Sequence, residues 1–76
     1  MFIHIGGDIV VLTKDVIAIL DYGKQDSMQK LSPFIEVQQE KGNLIWITTE
    51  NIKSIVITNQ YIYGSPISSQ TLTRRA

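Results

Sequence analysis

The chain has 76 residues, 43% hydrophobic and 18% charged, with seven basic and seven acidic side chains, a formal net charge of zero, one histidine and no cysteine. A chain this short makes one domain, residues 1–76, with a marginal core, and its composition excludes a disulfide framework, a thiolate metal site and a histidine cluster. Its longest apolar stretch, Val16 to Leu20, is far below the roughly 20 residues that cross a bilayer as a helix, so no membrane partner is expected.

Phe2 to Ile5 and Ile9 to Leu12 are β-prone runs around Gly6-Gly7-Asp8, whose glycines supply the positive φ of a tight turn, so the chain opens on a hairpin. Met1 to Ile5 has no basic segment and runs straight into this turn, which predicts no signal peptide and a cytoplasmic location. Val16 to Leu20 fits a strand or a buried helix by periodicity, and its β-branched content with the following Asp21-Tyr22-Gly23 favours a strand. Lys24 to Met28 reads as a loop. Ser32-Pro33 then places a capping hydroxyl before a proline, which predicts a short amphipathic helix ending at Gly42.

Leu44 to Thr49 and Ser54 to Thr58 read as strands, and Asn59-Gln60 connects the second to a strand at Tyr61 to Tyr63 that Gly64-Ser65-Pro66 breaks. Ser68 or Ser69 caps a last short helix running to Arg74 and Arg75. The expected fold is α+β: a small, mainly antiparallel β-sheet with one amphipathic helix and a short C-terminal helix. Several strands are apolar on both faces, more than one helix can cover, which predicts a protein interface around Trp46, Ile55 and Ile57 in a homo-oligomer larger than a dimer.

The zero net charge hides segregation. Residues 51–76 carry Lys53, Arg74 and Arg75 without an acid, +3; residues 1–23 carry Lys14 against Asp8, Asp15 and Asp21, −2; residues 24–50 carry three lysines against four acids, −1. Such a field suits a polyanion partner or self-assembly between unlike patches, although on charge alone a solvated tail with a fortuitous arginine pair is the simpler reading. Catalysis finds little support, because a nucleophile needs a base and an orienting group and the chain has one imidazole and no thiol. His4 with Asp8 supplies two metal ligands at most, so no metal or cofactor is expected. Trp46, Tyr22, Tyr61 and Tyr63 have the rings to stack on bases, but Trp46 lies in an apolar strand that suggests core or interface.

Met1-Phe-Ile-His-Ile-Gly, Val10-Val-Leu-Thr-Lys-Asp-Val-Ile-Ala-Ile-Leu-Asp21, Lys53-Ser-Ile-Val-Ile-Thr58 and Tyr61-Ile-Tyr-Gly-Ser-Pro-Ile-Ser-Ser-Gln-Thr-Leu-Thr-Arg-Arg-Ala76 resemble the RemA/RemB family of Gram-positive bacteria over nearly the whole chain. The closing Ser-Pro-x-Ser-Ser-x-Thr-Leu and its basic end are the most specific part. The resemblance implies a small cytoplasmic regulator of biofilm matrix genes and, for the RemA branch, a DNA-binding ring presenting arginines. Lys14 falls in a loop where the family carries a basic residue, and Lys53 matches the basic position before the Ile-Val-Ile strand. Where the RemA branch has an arginine pair before that position, this chain has Glu50-Asn51.

Together with the resemblance these observations predict a non-enzymatic, homo-oligomeric transcriptional regulator that contacts the backbone of double-stranded DNA through Lys14 and Lys53, with Arg74 and Arg75 either joining them or bridging to an acidic neighbour. The rival from another class is an assembly module that joins other regulators without touching DNA, which Glu50-Asn51 and the zero net charge favour.

Overall fold

Phe2–Gly6 (β1) and Ile9–Leu12 (β2) pair as the expected antiparallel hairpin in a computed structural model that describes residues Met1 to Ala76. Gly6 and Gly7 turn it at φ 125° and 53°, left-handed values that a residue with a Cβ resists. A single 3-10 turn, Thr13–Asp15, leads into β3 (Val16–Asp21), followed by α1 (Gln25–Glu40), β4 (Leu44–Trp46), β5 (Ser54–Thr58), β6 (Ile62–Ser65) and α2 (Ser69–Arg75).

The main sheet has the order β3-β5-β6-β4. β5 pairs antiparallel with β3 and with β6, and β4 joins the far side of β6 in parallel. Side chains of a strand alternate between faces, so the apolar run of β5 feeds two cores at once. Ile55 packs with Ile35 of α1 and Ile62 of β6 on one side. Val56 packs with Ile3, Ile5 and Val11 of the hairpin and Leu72 of α2 on the other. The structure is therefore three layers: hairpin with α2, sheet, and α1.

This layering corrects the expectation that a protein interface must cover the second sheet face. The chain covers it with its own hairpin and C-terminal helix. Ile55 is 0% exposed and offers no surface to a partner, which corrects its assignment to an oligomer interface. Ile57 is half-buried beside the α1 core. The register shift between Val16 and Ala18 instead turns Ile17 outward, 68% exposed, on the free edge of β3.

Two buried serines tie the layers. Ser65 donates its hydroxyl to the Ile5 carbonyl at 2.5 Å and accepts from the Ile67 amide at 3.1 Å, while Ser54 donates to the Ile67 carbonyl at 2.7 Å. Ser68 caps α2 by accepting from the Thr71 amide at 3.2 Å, as one of the two expected caps.

Three element boundaries differ from the sequence reading. The helix starts at Gln25, not at Ser32-Pro33, and takes in the stretch expected to be a loop; Pro33 lies inside it on the exposed side. Leu31 and Ile35 share the sheet-facing side at i, i+4 spacing, and Asp26 pairs with Lys30 at 3.4 Å, so tertiary packing outweighs the hydrogen bond that the proline omits. β4 stops at Trp46 rather than Thr49, because the chain bends at Ile47 and leaves the ladder with β6 after the Trp46–Gly64 pair. β6 includes Gly64 and Ser65, which were expected to break it, because their faces are needed close to Trp46 and to Ile5.

Ser65→Ala leaves the Ile5 carbonyl and Ile67 amide without their hydroxyl partner, so we expect a loss of about 1–3 kcal/mol, read as a lower denaturant midpoint at unchanged slope. Ser32→Ala, by contrast, should change stability by less than about 0.5 kcal/mol, since the residue is exposed in mid-helix; a capping serine would cost about 1 kcal/mol when removed.

Candidate functional site

The β3–β5 ladder decides where the expected phosphate contacts sit. Asn59 at the end of β5 donates its amide to the Asp15 carbonyl at 3.1 Å, which places the 3-10 turn bearing Lys14 beside the β5–β6 connection. At the other end the Tyr22 amide donates to the Lys53 carbonyl at 3.0 Å, and the Lys53 amide donates to Ser65 at 2.8 Å. Lys14 and Lys53 are therefore at opposite ends of a ladder running from Val16↔Thr58 to Asp21↔Ser54. At about 3.3 Å per residue, those five steps keep them roughly 17 Å apart. One protomer does not bring them into a single patch.

Arg75 is held by α2 and donates a guanidinium N–H to the His4 carbonyl at 2.9 Å, which fixes the C-terminal helix against β1. Arg74 reaches Thr71 Oγ1 at 3.4 Å. All four expected contact residues are exposed, and none lies within ion-pair distance of a carboxylate, since the chain's one salt bridge joins Lys30 and Asp26. His4 is also exposed, with its Nε2 2.7 Å from the Gly7 carbonyl, and no group of three or more His, Cys, Asp or Glu side chains converges as a metal site would require.

Trp46 occupies a place the sequence did not indicate. Its indole lies over Gly64, where a Cβ would come within 2.2 Å of the ring, and 36% of the residue remains exposed. Its ring centroid is 6.4 Å from that of Tyr22, with the planes inclined at 43°. With Met28, Ile52, Thr48 and Thr49 these two rings line a groove of about 380 Å³. A second hollow of about 350 Å³ shares Tyr22, Met28, Thr49 and Ile52 and continues the groove to Asn51 and Lys53. The signal for it in the sequence is the glycine at position 64, directly opposite Trp46 in the β4–β6 register.

Further apolar side chains are exposed on the hairpin, at Ile17 of β3 and at Phe34 and Val37 of α1. Phe2 and Val10, 67% and 52% exposed, border a smaller hollow of about 210 Å³ with Leu12, Asp15, Asn59 and Tyr63. Tyr61 lies just before β6 and meets Tyr63 edge-on with centroids 6.4 Å apart.

Residues 2–76 match the family described as RemA-like, extracellular matrix regulatory protein A-like. The chain is also 40% identical to extracellular matrix regulatory protein B of Bacillus subtilis (strain 168), over all of its own length and 90% of that protein. No helix is long and apolar enough to cross a membrane.

Gly64→Ala tests whether Trp46 is seated by the missing Cβ. The added methyl has to displace the indole, so we expect destabilisation by about 1–3 kcal/mol together with a shifted Trp46 emission maximum. An unchanged emission spectrum in a fully stable variant would contradict the seating.

Proposed function

The chain belongs to the RemA-like family of extracellular matrix regulatory proteins, and from that premise we propose that it is a DNA-binding transcriptional regulator of biofilm matrix genes, acting as a ring-shaped homo-oligomer. The observation that carries this reading is the set of cations without a carboxylate partner: Lys14, Lys53, Arg74 and Arg75 are exposed and free of ion pairs. Phosphate contact requires only reach and positive charge, and repetition of a few weak contacts by symmetry gives avid binding. Because Lys14 and Lys53 lie at opposite ends of the ladder, the contacts are distributed along an assembly. This arrangement favours a bent or wrapped duplex over base-by-base readout.

Self-association uses surface that the layering leaves free. Both edges of the main sheet, β3 and the three-residue β4, lack a strand partner, and Phe2, Val10 and Ile17 stand exposed on the hairpin and the β3 edge. Unlike edges pair head to tail, and such contacts close into a ring when the rotation per subunit divides a full turn.

A second reading, an assembly module that joins other regulators without touching DNA, has Glu50 in its favour. That carboxylate lies in the β4–β5 loop three residues before Lys53 and opposes a polyanion there.

A gel-shift titration at low and physiological salt, on protein of measured oligomeric mass, separates the two. On the DNA reading, affinity falls steeply with salt as each neutralised phosphate releases counterion. Lys14→Ala and Lys53→Ala each weaken binding on every sequence while changing stability by less than about 0.5 kcal/mol. Salt-independent binding, or full affinity with all four cations replaced, gives the assembly module the better claim. Sedimentation as a stable 8.6 kDa monomer removes the ring.

A further inference from the structure

We infer that the Trp46 groove is a binding site for a free mononucleotide, with the base against the Trp46 and Tyr22 rings and the phosphate at Lys53. This goes beyond the proposed regulation of matrix genes and does not depend on it.

The size and the lining agree. The groove of about 380 Å³ is within the range of small-ligand pockets, and its walls are mostly apolar with a few polar groups, the usual composition of such sites. Trp46 and Tyr22 offer two aromatic surfaces inclined at 43°, each able to stack on a planar ring, and stacking on a base is tolerant of base identity. The Trp46 ring is backed by Gly64, so its position is set before any ligand arrives. Thr49 and Asn51, a hydroxyl and a carboxamide residue, line the same hollow as Lys53 and offer hydrogen-bonding groups to the polar edge of a base or a ribose.

Charge selects the rest of the ligand. Lys53 is the one cation lining the continuous groove, and it has no carboxylate within ion-pair distance. A neutral aromatic makes no use of this exposed ammonium, whereas a phosphate attached to the base gains a charge-assisted hydrogen bond from it. One cation matches one phosphate. The lining holds no second cation for a further phosphate, so a free mononucleotide fits better than an unpaired base in a strand. The same ammonium is a proposed DNA contact, and an occupied groove therefore competes with DNA at Lys53.

Trp46 is the single tryptophan of the chain, so its fluorescence reports the site directly. The full-length protein is titrated with AMP, GMP, CMP and UMP, alongside adenosine, inorganic phosphate and a short single-stranded oligonucleotide, with calorimetry giving the affinities. We expect saturable quenching by mononucleotides, with adenosine weaker than AMP by about tenfold, the order expected for one charge-assisted contact. Lys53→Ala should weaken AMP by about the same factor while leaving adenosine unchanged, because only the phosphate contact is removed. Tyr22→Leu should weaken AMP and adenosine alike. Absence of saturable binding by any mononucleotide overturns the proposal, as does equal binding of AMP by the parent and Lys53→Ala proteins. Tighter binding of the oligonucleotide than of every mononucleotide overturns it too, in favour of a strand-binding groove. A failed gel shift leaves this titration intact, and a failed titration leaves the gel shift intact, so the two readings fall separately.

Discussion

Everything in this small fold hangs on β5, the central strand whose two faces are both spent on the core. Ile55 and Val56 are neighbours in sequence, point to opposite sides and are both fully buried, one under α1 and one under the hairpin with α2. Only 13 of the 76 residues are buried, so the two clusters share a thin layer of apolar contacts and neither is large enough to stand without the other. A strand that belongs to two cores couples them. Loss of packing on one side weakens the support for the other, which gives cooperativity to a chain without disulfide or metal.

The serines complete this coupling with directional contacts. Ser54 and Ser65 face each other in the β5–β6 register and are both fully buried, which is costly for a hydroxyl unless it is bonded. Each is bonded, to Ile67 and to Ile5, so the segment after β6 and the first strand are fastened to the sheet by hydrogen bonds that no apolar residue could replace. The hairpin is thereby held in one position over the sheet. Arg75 adds a third tether, from the last turn of α2 to the His4 carbonyl.

The functional surface inherits its geometry from the same ladder. Antiparallel pairing of β3 with β5 sends the residues just before β3 and just before β5 to opposite ends, which separates Lys14 from Lys53. Parallel pairing of β4 with β6 sets Trp46 opposite Gly64, and the absent side chain leaves room for an indole that is half in the structure and half in the groove. Cations are spread along the molecule, and Trp46 and Tyr22 set an aromatic slot at the Lys53 end. A distributed set of charges suits an extended polyanion, and a localised aromatic slot suits a small planar ligand.

The sequence by itself determined the parts whose causes are local. The glycine turn after β1, the β-branched strands, the serine cap of α2, the α+β class and the family resemblance follow from residue types and their near neighbours, because turn conformation and capping depend on a few adjacent residues. Ser32-Pro33 misled for the same reason: it is a good local start signal, overridden by the packing of Leu31 and Ile35 against the sheet. Only the tertiary structure decided which element covers which face. Periodicity marks a strand as apolar on both sides but is silent on whether its own chain or another copy supplies the cover, and that choice took Ile55 out of any interface. The separation of Lys14 from Lys53 and the seat of Trp46 over Gly64 were likewise fixed by strand order and register, which join residues far apart in sequence and leave no local trace.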